Sequence, residues 1–161
     1  MNSTLLRFLL YALVGLLFGV CDWFYLDWLA YVQWGSLGES RLVVPIILVL
    51  NFGIWLVPVV PIVLYEARQA RKVISPMLAG SLAWECAMLS YYAFYALLLS
   101  LGKLPNLEDL SLLEGGKDAR FWAEYWQMFD RIILDQFLEW SVIAVVGGAL
   151  LGALAFVWAR R

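Results

Sequence analysis

Histidine is absent from the 161-residue chain, and cysteine occurs only at Cys21 and Cys86. The absence of histidine excludes the usual imidazole base and the histidine ligands of haem and of many zinc sites. The two cysteines lie far apart in the sequence and form no Cys-x-x-Cys pair, which argues against metal binding and dithiol chemistry. The sequence therefore predicts neither a metal site nor a cofactor.

Charged residues are scarce, at 15% of the chain, and the net charge is −2 at pH 7. This balance offers no basic surface for nucleic acid, so we expect no nucleic-acid partner. Hydrophobic residues make up 64% of the chain, well above the roughly 45–50% of soluble domains. These values predict a protein integral to the membrane, and the length fits one domain over residues 1–161.

Four stretches are apolar over the roughly 20 residues that a helix needs to cross the hydrocarbon core. They run over about residues 5–31, 42–65, 77–102 and 137–159. Between the last two, the segment of about 118–135 has the periodicity of an amphipathic helix. The sequence predicts an all-α fold: a polytopic bundle of four transmembrane helices, with an extra amphipathic helix in the second outer loop. That helix is expected either to lie on the outer leaflet or to cap the mouth of the bundle.

Basic residues cluster at three places that a chain with four spans puts on one side of the membrane. These places are the N-terminal segment, the loop after the second span and the end of the chain: Arg7; Arg68, Arg71 and Lys72; Arg160 and Arg161. Because Lys and Arg favour the cytoplasmic side, both termini are predicted to be cytoplasmic. The membrane is expected to be a prokaryotic plasma membrane.

Polar residues inside these stretches are functional-site hypotheses, because they are expensive to place in a membrane. At a rise of about 1.5 Å per residue, Asp22 and Asn51 share a depth in the outer half of the membrane, whereas Glu85 lies about 13 Å away along the normal. Asp22 shares a helical stripe with Gly15 and Gly19, so we expect it to face protein rather than lipid. For each polar residue, a packing role competes with a proton or cation site.

The remaining acids have simpler interpretations. Asp27 is predicted to lie at the water boundary, within a belt of interfacial tryptophans. Asp135 follows Arg131 by one helical turn, which predicts an ion pair between them. The surroundings of Glu139 are left open by the sequence: it can face the amphipathic segment, water or another subunit.

Two stripes of small residues permit close helix approach. One contains Gly15 and Gly19, and the other contains Gly148 and Gly152. Besides the lipid bilayer, these faces are expected to contact a membrane-protein partner or a second copy of the chain. The first hypothesis for function is therefore a structural or accessory subunit of a larger membrane assembly.

The second hypothesis is a small-solute or cation transporter, or a substrate-binding membrane subunit, with an acidic and aromatic cavity that opens outward. Carboxylates would supply negative charge or carry protons, an amide would orient the solute, and aromatic faces would attract a cation. The predicted site residues are Asp22, Asn51, Trp55, Trp84, Glu85 and Tyr92.

The third hypothesis is an intramembrane hydrolase with paired carboxylates. The chain is similar in layout to lipoprotein signal peptidases, with four spans, cytoplasmic ends, an aspartate late in the first span and "NFG" at 51–53 where that family has an Asn-x-Gly element. It lacks the Asn-x-x-Asp-Arg and Phe-Asn-x-Ala-Asp motifs of that family. The sequence therefore predicts no catalytic residue and assigns no family.

Overall fold

The computed structural model describes residues 3–36, 49–50, 53–101 and 119–161, and no strand occurs among them. The all-α prediction is confirmed for this part of the chain. Its helices are α1 (Ser3–Ser36), α2 (Leu56–Gln69), α3 (Ile74–Ser100), α4 (Ala119–Met128) and α5 (Asp135–Trp158). A π-helical turn, Phe129–Leu134, joins α4 to α5 without a break.

Three helical segments are long and apolar enough to cross a membrane: Thr4–Tyr25 within α1, all of α3, and Phe121–Trp158. By length and hydropathy, the chain is a small multipass membrane protein in contact with the lipid bilayer. The second predicted span, 42–65, is described mainly as α2, which has 14 residues and reaches only about 21 Å. Much of that stretch lies outside the described residues, so the fourth span stays a prediction.

The helix α3 lies at the centre and packs against α1 on one side and α5 on the other. On the α1 side, a Cβ atom added to Gly15 would meet the carbonyl oxygen of Ala83, and one added to Gly19 would meet the carbonyl oxygen of Ala87. The predicted glycine stripe therefore does bring two helix backbones into contact. The contact lies within the chain.

The second glycine stripe lies against the opposite side of α3. Added Cβ atoms on Gly80 and Gly148 would each meet the backbone of the other residue, and one on Gly152 would meet the backbone of Pro76. The expected binding of a partner or a second copy through the two glycine faces therefore finds no support in the structure. Both faces are already covered by the backbone of α3, because only glycine lets the helices approach this closely.

The amphipathic helix exists as predicted, but it is not a separate helix in a loop. It is α4, which runs through the π-helical turn into the last span. Its buried residues Phe121 and Tyr125 belong to the same cluster of buried side chains as Trp55 and Leu99. The helix α4 thus packs against the bundle through these two residues, whereas Trp122 and Trp126 on its other side are exposed.

The π-helical turn keeps the buried faces of α4 and α5 in line. At about 3.6 residues per turn, the stripe through Tyr125 would continue to residue 132 and then near 139 and 143. The wide turn accommodates one extra residue and so moves the buried stripe of the following helix by one position. Ile133, Ala144 and Gly148 are buried instead. Glu139 is exposed as a result.

The close contact at Gly19 generates a test of the packing. We expect Gly19→Ala to lower the free energy of unfolding by about 1–3 kcal/mol, because the added methyl group overpacks the contact with α3. The matched control is Gly53→Ala, whose Cβ would lie 3.8 Å from Val49 in ordinary van der Waals contact. Denaturation in mixed micelles measures both variants, and equal stability of the two would contradict this packing.

Candidate functional site

Asp22 is buried in the membrane-spanning part of α1, with 1% of its surface exposed. This confirms the prediction that it faces protein. Neither of its carboxylate oxygens has a hydrogen-bond partner among the described residues. Buried polar atoms are nearly always hydrogen-bonded in native proteins, so this side chain is an exception that needs a physical reason.

The backbone contact between α1 and α3 fixes the position of Asp22. One turn earlier, a Cβ atom on Gly19 would meet Ala87 and the Ser90 hydroxyl. Asp22 therefore comes next to the following turn of α3, where it interacts electrostatically with Tyr91. The Ser90 hydroxyl at this contact donates to the carbonyl oxygen of Ala87, at 3.1 Å, and not to Asp22.

Aromatic rings enclose this part of α1, and we call the following group the aromatic cluster: Phe18, Trp23, Trp55, Tyr91, Tyr92 and Tyr95. The ring centroid of Trp23 lies 5.5 Å from that of Tyr91 and 4.9 Å from that of Tyr95. Trp55 contacts Tyr91 edge-on, at 5.6 Å between centroids. The cluster thus joins α1, α3 and the start of α2 around the level of Asp22.

Asn51, the predicted neighbour of Asp22, lies outside the described residues. The residue just before it is described: the hydroxyl of Tyr25 donates a hydrogen bond to the carbonyl oxygen of Leu50 at 3.4 Å. Tyr25 is about one helical turn beyond Asp22. The pairing of Asp22 with Asn51 stays a prediction, although the preceding residue lies beside this part of α1.

Glu85 and Trp84 face α5 rather than α1. The Ser141 hydroxyl donates a hydrogen bond to one carboxylate oxygen of Glu85 at 2.9 Å. A Cβ atom on Gly147 would lie 2.9 Å from the Trp84 ring. Because α3 presents Ala83 and Ala87 to α1, a residue midway between them points to the opposite side. The structure therefore places Glu85 and Asp22 on different sides of α3.

Two buried polar atoms on the α5 side also have no hydrogen-bond partner among the described residues. They are the second carboxylate oxygen of Glu85 and the indole nitrogen of Trp84. The first carboxylate oxygen of Glu85 nevertheless accepts a hydrogen bond from the Ser141 hydroxyl. Among the buried carboxylates of the described residues, that of Asp22 is the one with no hydrogen bond to either oxygen.

Tyr92 connects the aromatic cluster to α5. Its ring centroid lies 5.1 Å from that of Tyr91 and 5.8 Å from that of Phe137. Tyr92 also interacts electrostatically with the exposed Glu139. Tyr92 thus lies between the aromatic cluster and the α5 residues Phe137 and Glu139.

The remaining acidic residues add nothing to this site. Asp27 lies in α1, but its side chain is outside what the structure describes. Arg131 and Asp135 are both exposed, and no ion pair between them occurs within the described ranges. The reason is that the π-helical turn lies between them and changes the spacing on which the predicted pair depends.

Sequence reasoning missed Glu66, which is fully buried near one end of α2. Its carboxylate accepts hydrogen bonds from the hydroxyls of Tyr11, at 2.8 Å, and Ser75, at 2.7 Å. It also forms an ion pair with Arg7 at 3.3 Å, and Arg7 in turn donates to Gln69 at 2.7 Å. This group, the Glu66 cluster, ties α1, α2 and α3 together.

A signal for the Glu66 cluster was present in the sequence. Glu66 continues the buried stripe of α2 through Val59, Ile62 and Val63. Arg7 and Tyr11 are four residues apart, which puts a cation and a hydroxyl on one face of α1. Because the predicted second span ended at residue 65, Glu66 was not among the intramembrane acids considered.

The chemistry of these groups is that of carboxylates and aromatic rings. No group of three or more metal-binding side chains occurs among the described residues. Glu66 has donors and a cation that satisfy it, so its role is structural. Asp22 is the buried carboxylate that receives neither a hydrogen bond nor a cation from the described residues.

The Glu66 cluster generates a second test. We expect Tyr11→Phe to lower the free energy of unfolding by about 1.5–3 kcal/mol, the usual contribution of a hydrogen bond to a charged group. Tyr25→Phe is the control, because its long hydrogen bond to Leu50 should contribute less than about 0.5 kcal/mol. Equal effects of the two substitutions in the same denaturation assay would show that the cluster does not stabilise the fold.

No protein-family model, curated protein or solved structure matches the chain.

Proposed function

We propose that this small membrane protein binds a proton or a small cation at Asp22, as the charge-binding step of a cation-coupled or proton-coupled carrier. The observation that carries the proposal is the burial of Asp22 with neither carboxylate oxygen hydrogen-bonded to a described residue. An ionised acid at the centre of a span costs about 2.5–3.5 kcal/mol or more. A proton or a bound cation removes that cost.

The aromatic cluster supports the same proposal. Rings of Trp and Tyr attract cations through their faces. Trp23 follows Asp22 directly in the sequence, and Tyr91 lies across the helix contact, where it interacts electrostatically with Asp22. Trp55 and Tyr92 from the predicted site belong to this group. Glu85 and Trp84 lie on the other side of α3 and form no part of the proposed site.

The other hypotheses have less support. The accessory-subunit hypothesis relied on two glycine faces, and both are occupied by α3. The hydrolase hypothesis requires two carboxylates around one water, whereas Asp22 is buried on α1 and Glu139 is exposed on α5. Neither hypothesis explains why a carboxylate that no described residue hydrogen-bonds is kept inside the bundle.

We also propose that both termini lie in the cytoplasm of a prokaryotic cell. Hydrogen bonds bring the three basic segments to one end of the bundle: Arg7 contacts Gln69, and Arg160 contacts the carbonyl oxygens of Ala70 and Arg71. Because basic residues favour the cytoplasmic side, this end is the cytoplasmic one. Asp22 then lies toward the outer half of the membrane.

The test of the proposed site uses Asp22→Asn, since the amide keeps the shape of the side chain but cannot bind a proton or neutralise a cation. Infrared spectroscopy should detect the C=O band of a buried protonated carboxyl in the wild type and its loss in Asp22→Asn. If a cation is bound instead, Na⁺, K⁺ or tetramethylammonium should raise the Tm of the wild type alone. A ligand at 100 times its Kd stabilises by about 2.7 kcal/mol.

The control variant is Glu85→Gln, which keeps an acceptor for Ser141 and should leave both signals in place. Size-exclusion chromatography checks that each variant is folded. The proposed function is wrong if the wild type shows neither the infrared band nor the rise in Tm. It is also wrong if Asp22→Asn keeps the signal that the wild type shows.

The orientation is tested by labelling a single introduced cysteine. Ala70→Cys, in a background of Cys21→Ser and Cys86→Ser, should react with a membrane-impermeant thiol reagent only in inside-out vesicles. A cysteine at position 131, beyond the opposite end of α5, should react only in right-side-out vesicles. Reaction of position 70 in right-side-out vesicles would reverse the proposed orientation.

A further inference from the structure

Five exposed basic side chains come together at the end of the bundle that contains the Glu66 cluster, although they are far apart in the sequence. They are Arg68, Arg71, Lys72, Arg160 and Arg161, which we call the basic end. The chain segment 70–72 and the C-terminal residues are joined directly, because the Arg160 side chain donates hydrogen bonds to the carbonyl oxygens of Ala70, at 3.1 Å, and Arg71, at 3.3 Å.

The position of Arg160 is further fixed by Phe156. The Cζ atom of the guanidinium group lies 4.6 Å from the centroid of the Phe156 ring, over its face. This cation–π contact and the two hydrogen bonds leave the side chains of Arg71 and Lys72 free to point away from the bundle. The arrangement therefore concentrates positive charge at a defined place rather than on separate flexible segments.

Within the part of the chain that the structure describes, acidic side chains do not balance the positive charge of the basic end. Glu66 is the one described acidic side chain at this end, and it is fully buried and already bound by Arg7, Tyr11 and Ser75. The acids Glu124, Asp130, Asp135 and Glu139 belong to α4, the π-helical turn and the start of α5, at the opposite end.

Two exposed aromatic side chains mark the depth of the basic end. Tyr65, in α2, and Trp158, the last residue of α5, are 52% and 62% exposed. Tyr and Trp at helix ends favour the level of the lipid headgroups. The unbalanced cations therefore lie where phosphate groups of lipids are found.

We infer that the basic end is a binding site for the phosphate group of anionic phospholipids, and that it distinguishes these lipids from zwitterionic ones. Each basic residue near an anionic surface contributes about fivefold to the affinity, and salt weakens the attraction. The inference does not depend on the proposed role of Asp22, because it concerns the other end of the bundle.

The experiment measures lipid binding to the full chain in detergent by native mass spectrometry. Dioleoylphosphatidylglycerol and dioleoylphosphatidylcholine have the same acyl chains and differ in headgroup charge. We expect the wild type to bind the former more tightly. The double variant Arg71→Gln with Lys72→Gln should lower that affinity about 25-fold and leave phosphatidylcholine binding unchanged.

The matched control is Arg131→Gln, which removes an exposed cation at the opposite end and should change the affinity by less than about twofold. Thermal unfolding verifies that the variants fold, and the contacts of Arg160 survive because they use backbone carbonyls. Equal binding of the two lipids by the wild type would overturn the inference, and so would an equal effect of the control.

A further arm uses inorganic phosphate to separate a lipid headgroup from a free anion. Millimolar phosphate should leave phosphatidylglycerol bound, because the acyl chains contribute apolar contacts that phosphate lacks. Complete displacement of the lipid by phosphate at constant ionic strength would identify the site as one for a free anion and would overturn the lipid assignment.

Discussion

Direct contact between helix backbones is the constraint on which the rest of this structure depends. Lipid provides no hydrophobic driving force between helices, so association relies on close packing and interhelical hydrogen bonds. The helix α3 meets α1 through Gly15 and Gly19 and meets α5 through Gly148 and Gly152. These contacts set the register of both neighbours, which places Asp22 beside Tyr91 and Ser141 beside Glu85.

Two buried carboxylates show what this register does to polar groups. Glu66 receives two hydroxyl hydrogen bonds and an ion pair from neighbouring helices. Asp22 lies one turn from the backbone contact at Gly19, and its carboxylate receives no hydrogen bond from the described residues. The same principle that buried polar groups need partners therefore assigns a structural role to one acid and supports a binding role for the other.

The elements that follow from local pattern were predictable from the sequence. The glycine stripe of α1 and the inward position of Asp22 are matters of helical spacing, and the lengths of α1, α3 and α5 follow from apolar runs. The surface against which the glycine faces pack was not predictable, because a stripe of small residues fits another subunit as well as a neighbouring helix of the same chain. The Glu66 cluster was not predicted for a related reason. Arg7 and Tyr11 lie on α1 and Glu66 lies on α2, so local pattern does not show that they meet. The phase shift at Phe129–Leu134 becomes visible only when the buried faces on both sides of it are known.

The order in which these contacts become available has a consequence for biosynthesis. The first helix reaches the membrane long before α3, so during that interval its glycine stripe and Asp22 have no protein surface against which to pack. Arg7 and Tyr11 acquire their acceptor only when Glu66 emerges, and Ser75 completes that cluster nine residues later. Since α3 also supplies the surface for α5, the synthesis of α3 is the step that converts a set of separate spans into a folded bundle.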